Sequence, residues 1–204
     1  MAPRNKQKQV LMTELRDEVF ALTTSPLYAE RTKHNACPVI GEGDLNASIM
    51  FIGEAPGKNE ALTGKPFCGA SGKILDELLA SINLPRESVY VTNIAKDRPP
   101  LNRDPTPEEI TAYGPFLDRQ INIIEPKVLA TLGRYSMKYI MERFSLFKDL
   151  GPISELHGKT FKAKTNYGEI TIVPLYHPAV AVYNNKTKDT LKTDFAVLKE
   201  FLAS

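Results

Sequence analysis

ASIMFIGEAPGKNE, residues 47–60, passes within a few positions from an unbroken apolar run into a polar loop punctuated by glycine and proline. A short continuous apolar run closed by Gly53 reads as a strand over 47–53 buried on both faces, as in a parallel sheet. Beyond the loop, Ile74, Leu75, Leu78, Leu79 and Ile82 recur at helical spacing, and VYVTNI (89–94) forms a second strand. Thr106-Pro107-Glu108-Glu109 is a capping box with proline at the first helical position, so a helix starts at Thr106. Its core face is Ile110, Tyr113, Leu117, Ile121 and Ile124. KVLATLG (127–133) and EITIVPL (169–175) are the third and fourth strands, and helices are expected over 134–143 and 189–202. Upstream, Leu11, Leu15, Val19 and Leu22 form a helical stripe that Ser25-Pro26 ends, and the polar, basic residues 1–8 read as a flexible tail. Alternating strands and helices predict an α/β fold. It is a three-layer α/β/α sandwich on a central, mainly parallel four-stranded sheet, in a single domain spanning 1–204.

Composition narrows the class. The 204 residues are 42% hydrophobic and 25% charged, which fits an ordinary globular chain able to bury a full core. Twenty-six Lys and Arg against 24 Asp and Glu give a net charge of +2, too near balance to argue for or against a polyanionic partner. Cys37 and Cys68 are too few for a disulfide framework and lack metal-ligand spacing. With no apolar run of membrane length and no secretory core at the start, the expected location is cytoplasmic, without membrane association.

In a parallel sheet, ligands bind beyond the carboxyl ends of the strands, so those loops carry the functional reading. After the first strand, glycines at 53, 57, 64, 69 and 72 exceed what a simple turn needs. They suggest a backbone that approaches a ligand, with a helix N-terminus near Ser71 open to an anion. A glycine-rich loop without chemistry has the same look. Asn93 closes the second strand; it fits a cap, but its side-by-side donor and acceptor also suit a base edge. YHPAVAVYN (176–184) follows the fourth strand, with His177 before a proline, a setting more often structural than catalytic.

Taken jointly and in order, GEAPGKNE (53–60), TGKPFCGASG (63–72), YVTNIAKDRPP (90–100) and YHPA (176–179) resemble the uracil-DNA glycosylase superfamily, most closely its family 4. The likeness runs from about Leu22 to about Asn184. It implies a monomeric, monofunctional glycosylase of base excision repair, hydrolysing the N-glycosidic bond of uracil in single- or double-stranded DNA. By this resemblance Asn93 reads the uracil edge, Phe67 stacks on the ring, and Gly53 and Ala55 line the base pocket. His177 stabilises the leaving anion. Glu54 and Glu60 remain as carboxylates, because other branches carry a water-activating aspartate where this chain has Ala55; Glu60 matches a family 4 acidic position. Ser71, Val182 and Tyr183 are expected at the DNA, and His157, where the family stretch usually has arginine, at a phosphate or in a structural role. The usual leucine wedge is replaced around Ala181, so Val182 or Tyr183 would fill the place of the flipped base. A related branch captures DNA covalently through a histidine in an insertion after the second strand; that insertion is absent.

Family 4 normally holds a 4Fe–4S cluster on four cysteines. The corresponding positions here are Leu22, Ser25, Asp97 and Ala112. No cofactor or metal is therefore expected, with packing through Leu22 and Leu27, and a polar contact from Asp97 to Arg98 or a backbone amide, in the cluster's stead. Lys58, Lys65, Lys73, Lys186 and Lys188 are candidate phosphate contacts. Two other functions fit the same motifs: excision of another deaminated base such as hypoxanthine, and a non-catalytic lesion-binding module.

Overall fold

A computed structural model describes residues 3–182 and 184–202. In chain order the elements are α1 (Pro3–Ala21), α2 (Tyr28–Lys33), β1 (Glu42–Gly43), β2 (Ile49–Gly53), α3 (Lys58–Thr63), α4 (Ala70–Ser81) and β3 (Tyr90–Asn93). There follow α5 (Pro107–Ile124), β4 (Val128–Leu132), α6 (Arg134–Arg143), α7 (Ile153–Leu156), β5 (Phe161–Thr165), β6 (Gly168–Leu175) and α8 (Asn185–Ala196). Short 3-10 turns at Pro100–Asn102 and Pro178–Ala181 matter to the site.

One sheet organises these elements, in the order β1-β3-β2-β4-β6-β5. The four expected strands are its parallel core, β3-β2-β4-β6. The expected total of four is corrected to six, since β1 and β5 add antiparallel edges to a mixed sheet. Both additions were hard to see: β1 has two residues, and β5 alternates lysine with small or half-buried side chains, as an exposed edge does.

The central strands are buried on both faces. Met50 and Ile52 of β2 enter one apolar cluster with α1, α5 and α6. Ile49 and Phe51 enter the opposite cluster with α4 and α8, where Phe51 stacks on Phe195 at 5.7 Å. Side chains of period two thus feed both layers, and this is why the strand reads as a continuous apolar run.

The capping box at α5 forms as expected. Thr106 Oγ1 accepts from Glu109 N–H at 3.3 Å, and the Glu109 carboxylate accepts from Thr106 N–H at 2.9 Å. Of the expected α5 core face, Tyr113, Leu117, Ile121 and Ile124 are buried and Ile110 is half-buried.

At the N-terminus the expected tail is corrected: α1 begins at Pro3. Its buried face is Lys8, Met12, Leu15 and Val19, while Leu11 is exposed. Lys8 Nζ donates to Ile124 O at 2.9 Å and Leu45 O at 3.1 Å, placing a cation on the last carbonyls of α5. A basic residue in a polar stretch gave no sign that it would cap a helix 116 positions away.

Candidate active site

The carboxyl ends of β2, β3 and β6 open into one cavity of about 300 Å³. That is the small end of ordinary small-molecule pockets. The loop after β2 supplies Glu54, Ala55, Pro56, Gly57, Glu60 and, beyond α3, Phe67 and Ser71; Asn93 ends β3; His177 and Ala179 follow β6. The sequence-predicted pocket residues therefore converge, and Gly53 explains the floor. A Cβ on Gly53 would lie 2.2 Å from Asn93 Oδ1 and 2.7 Å from the Phe67 ring, so only glycine lets these two side chains meet there.

Asn93 is 2% exposed, and its Oδ1 has no hydrogen-bond partner among the described residues. A buried acceptor left unpaired is costly and marks a place for a donor. The strand end that presents it is fixed from below. Fully buried Lys96 donates to Asn93 O at 2.7 Å, Thr92 Oγ1 at 2.9 Å and Gln120 Oε1 at 2.6 Å, and burial lowers its pKa to about 7.

Phe67, 7% exposed, packs its ring against the His177 ring with centroids 5.6 Å apart and planes 30° from parallel. Its backbone takes φ +48, in the left-handed region, and its carbonyl sits so close to α4 that a Cβ on Gly72 would lie 1.8 Å away. Glu60 holds this loop: its Oε1 accepts from Cys68 N–H and Gly69 N–H, each at 3.1 Å.

His177 Nδ1 accepts from Ala179 N–H at 3.1 Å. In the neutral ring the proton therefore sits on Nε2. Burial pushes the pKa down to about 4, against a smaller opposing pull from Glu60, so the ring is neutral at neutral pH. Glu54 Oε1 accepts from Tyr135 N–H at 3.0 Å in the first turn of α6. Burial raises its pKa despite that bond, which makes it the more basic kind of carboxylate.

The remaining sequence candidates sit differently. Val182 is half-buried at the end of the 178–181 turn, and Ala181 is buried. The exposed large apolar residue of that turn is Val180, at 45%. Tyr183 lies outside the described residues. His157 is not in the cavity: its Nδ1 lies 2.8 Å from Asp194 Oδ2 on α8, and its ring lies 4.3 Å from that of Tyr176. Lys188 pairs with Glu77, while Lys58, Lys65 and Lys73 are exposed; the Lys186 side chain is outside the description.

One wall escaped the sequence reading. Pro99, Asn102, Arg103, Asp104 and Pro105, from the loop after β3, line the same cavity as Ala179. Four prolines over 99–107 were the available sign of a stiff loop.

Around the four positions that the resemblance assigns to a family 4 cluster, the donors do not fit one. Ser25 Oγ hydrogen-bonds Tyr113 OH, which donates to Asp97 Oδ2 at 2.5 Å, and Arg31 Nη1 lies 3.3 Å from the same oxygen. Arg31 also donates to Val19 O at 3.0 Å and Phe20 O at 3.1 Å, closing the C-terminal end of α1. Leu22, Leu27, Ala95 and Ala112 pack around Tyr113. The packing through Leu22 and Leu27 is as expected. The partners of Asp97 are corrected from Arg98 or a backbone amide to Tyr113 and Arg31, because Arg98 turns instead to Asn102. Hydroxyl, carboxylate and guanidinium groups offer none of the thiolates that iron in such a cluster requires.

A three-layer α/β/α sandwich that gathers asparagine, phenylalanine and histidine around one cavity at the carboxyl ends of its strands has the architecture of a ligand-binding α/β enzyme. The chain belongs to the uracil DNA glycosylase superfamily, whose family model matches residues 40–199. It is 44% identical over 190 residues to a type-4 uracil-DNA glycosylase of Sulfurisphaera tokodaii, covering 93% of this chain and 84% of that one. A type-4 uracil-DNA glycosylase of Archaeoglobus fulgidus is 43% identical over 170 residues, 83% of each chain. One from Thermotoga maritima is 37% identical over 200 residues, 96% of each. Among the described residues no helix is long and apolar enough to cross a membrane.

Proposed function

We propose that this protein is a monofunctional uracil-DNA glycosylase, hydrolysing the bond between uracil and deoxyribose and leaving an abasic site. The observation that carries the reading is the unpartnered Asn93 Oδ1, buried at the cavity floor beside Phe67 and His177.

A base must leave the duplex to reach such a cavity. Uracil N3–H supplies the donor that Asn93 Oδ1 lacks, while the Asn93 amide N–H₂ donates to uracil O4. Cytosine presents an acceptor and an amino group at those two atoms, so it leaves a mismatch on each side. Phe67 stacks on the pyrimidine face, and Gly53 and Ala55 leave room for the ring. As the C1′–N1 bond breaks, its electron pair passes to the base and the sugar becomes oxocarbenium-like. His177 Nε2–H then donates to uracil O2, where the negative charge collects. Water adds to C1′ and loses its proton to a carboxylate. Of the two candidates we assign this to Glu54, whose raised pKa suits a base. Glu60 has one oxygen committed to two backbone N–H groups, and its role is to hold the Phe67 loop. Ser71, in the first turn of α4, and exposed Lys58, Lys65 and Lys73 face phosphates.

The protein acts as a monomer and without an iron–sulfur cluster, its place taken by the Arg31–Asp97–Tyr113–Ser25 network. Single-turnover cleavage of single-stranded oligonucleotides carrying uracil, hypoxanthine or no lesion tests the whole reading. Excision of uracil in preference to hypoxanthine supports it. Preference for hypoxanthine, or binding without excision, overturns it.

A further inference from the structure

Leu101 is 94% exposed, the most exposed of the large apolar side chains among the described residues. Its backbone takes φ +55, ψ +21, and Asn102 follows at φ +57. Left-handed backbone is uncommon for a leucine, and such residues gather where the surroundings hold them for a use. The surroundings here do hold it. Pro99 and Pro100 fix the approach, and Asn102 N–H and Arg103 N–H close the turn onto Pro99 O at 3.2 Å and Pro100 O at 3.1 Å. Arg98 Nε donates to Asn102 Oδ1 at 2.7 Å, and Arg103 grips the Glu109 carboxylate with contacts of 2.6 and 2.9 Å. Arg134 and Tyr135 both donate to Asp104 Oδ2, at 2.7 and 3.0 Å. An apolar side chain is thus offered to solvent from a turn braced on both sides.

Its place in the fold says what it meets. Pro99 and Asn102, its neighbours along the turn, line the substrate cavity, yet Leu101 does not. It stands outside the lining on the loop after β3, while Ala179 and the exposed Val180 belong to the turn after β6, and β2 and β4 lie between those two strands in the sheet. A nucleotide swung into the cavity must leave the strand running across this rim.

We propose that Leu101 is a wedge that enters the base stack of duplex DNA beside the extruded nucleotide, from the loop after β3 and not from the 178–181 turn. Wedging here compensates for the small side chains of that turn, where Ala181 is buried. This rests on the glycosylase reading. The wedge replaces stacking that the flipped base gives up; a single strand has no pairing partner to displace and little need of it.

Leu101→Asn and Leu101→Gly test it, since both residues adopt left-handed backbone readily and so relieve the turn instead of breaking it. Excision of uracil from a single strand by the unsubstituted protein checks the parent reading separately; the wedge is judged on the ratio of duplex to single-strand single-turnover rates, with uracil opposite adenine. Both variants lower the duplex rate by about tenfold or more and the single-strand rate by less than about twofold, and Leu101→Met retains the duplex rate. In the same variants, 2-aminopurine placed next to the uracil loses its fluorescence rise on binding. Equal losses on both substrates, an unchanged duplex rate, or an unsubstituted protein that cleaves single strands but no duplex, each overturns the proposal.

Discussion

Gly53 and Asn93 end neighbouring parallel strands in register, so close that any Cβ at position 53 would lie 2.2 Å from Asn93 Oδ1. The pairing of β2 with β3 thereby sets both the height of the cavity floor and the direction of the Asn93 amide. Gly53→Ala should push Asn93 and Phe67 apart. We expect it to lower uracil excision by about a hundredfold or more, at a stability cost of about 1–3 kcal/mol. Single-turnover rates and a denaturant melt separate the two effects; wild-type excision in a folded Gly53→Ala protein would show the floor to be looser than this geometry.

Asn93→Asp keeps the shape of the side chain and replaces the donor with a second acceptor. Discrimination built on hydrogen-bond complementarity should therefore weaken sharply. We expect uracil excision to fall by about 10²-fold or more, with the preference for uracil over cytosine reduced or lost. Competition between uracil- and cytosine-containing strands measures it, and unchanged selectivity would remove Asn93 as the reader of the base.

His177 should titrate near pH 4 by NMR, well under its ordinary value near 6.5, because burial disfavours the imidazolium. An unfolded chain takes up this proton near pH 6.5 while the native ring resists it to about 4, so the unfolded state binds more protons in between. Acid therefore erodes stability as pH falls through that window, and above it the ring contributes no slope. His177→Gln should flatten this part of the stability profile. His177→Ala should cut excision by orders of magnitude while DNA affinity changes little, since the hydrogen bond to the leaving anion forms fully only in the transition state. A ring titrating near 6.5 would contradict the neutral donor.

The Arg31–Asp97–Tyr113–Ser25 network joins the end of α1, the loop after β3 and α5. Tyr113→Phe leaves a buried carboxylate short of its best donor and should cost about 1–3 kcal/mol. Asp97→Ala strands a buried guanidinium and should cost about 3–5 kcal/mol. Chelator should leave the melting temperature of the unsubstituted protein unchanged. Stoichiometric iron with a visible thiolate–iron absorption band in protein prepared without oxygen would be the contrary result.

Much of the site was legible in order along the chain. Glycine and proline around Phe67, asparagine at a strand end, and histidine before proline each carry a local backbone reason to be where they are. Resemblance joined them into a base pocket, and the fold brings them together. The loop wall at 99–105 was not legible in the same way. Its prolines announced stiffness, but its sharing one cavity with Ala179 depends on how β3 and β6 are placed about β2 and β4 in one sheet. The partner of His157 was not legible for the same reason. Its partner, Asp194, is 37 residues further on and reaches it through the packing of α8.

The sequence by itself determined the parallel core of the sheet, the start of α5 and a supply of only two cysteines. Apolar period, a capping box and the identity of side chains are local properties that no distant contact can alter. Only the tertiary structure decided the edge strands, the burial of Lys8 on the end of α5, the partners of Asp97, and the exposure of Leu101 at the cavity rim. Each of those is a matter of what lies across space from a residue. Long-range packing sets that, and a weakly patterned segment such as β5, or a lysine in a polar run, holds no record of the surface it will meet.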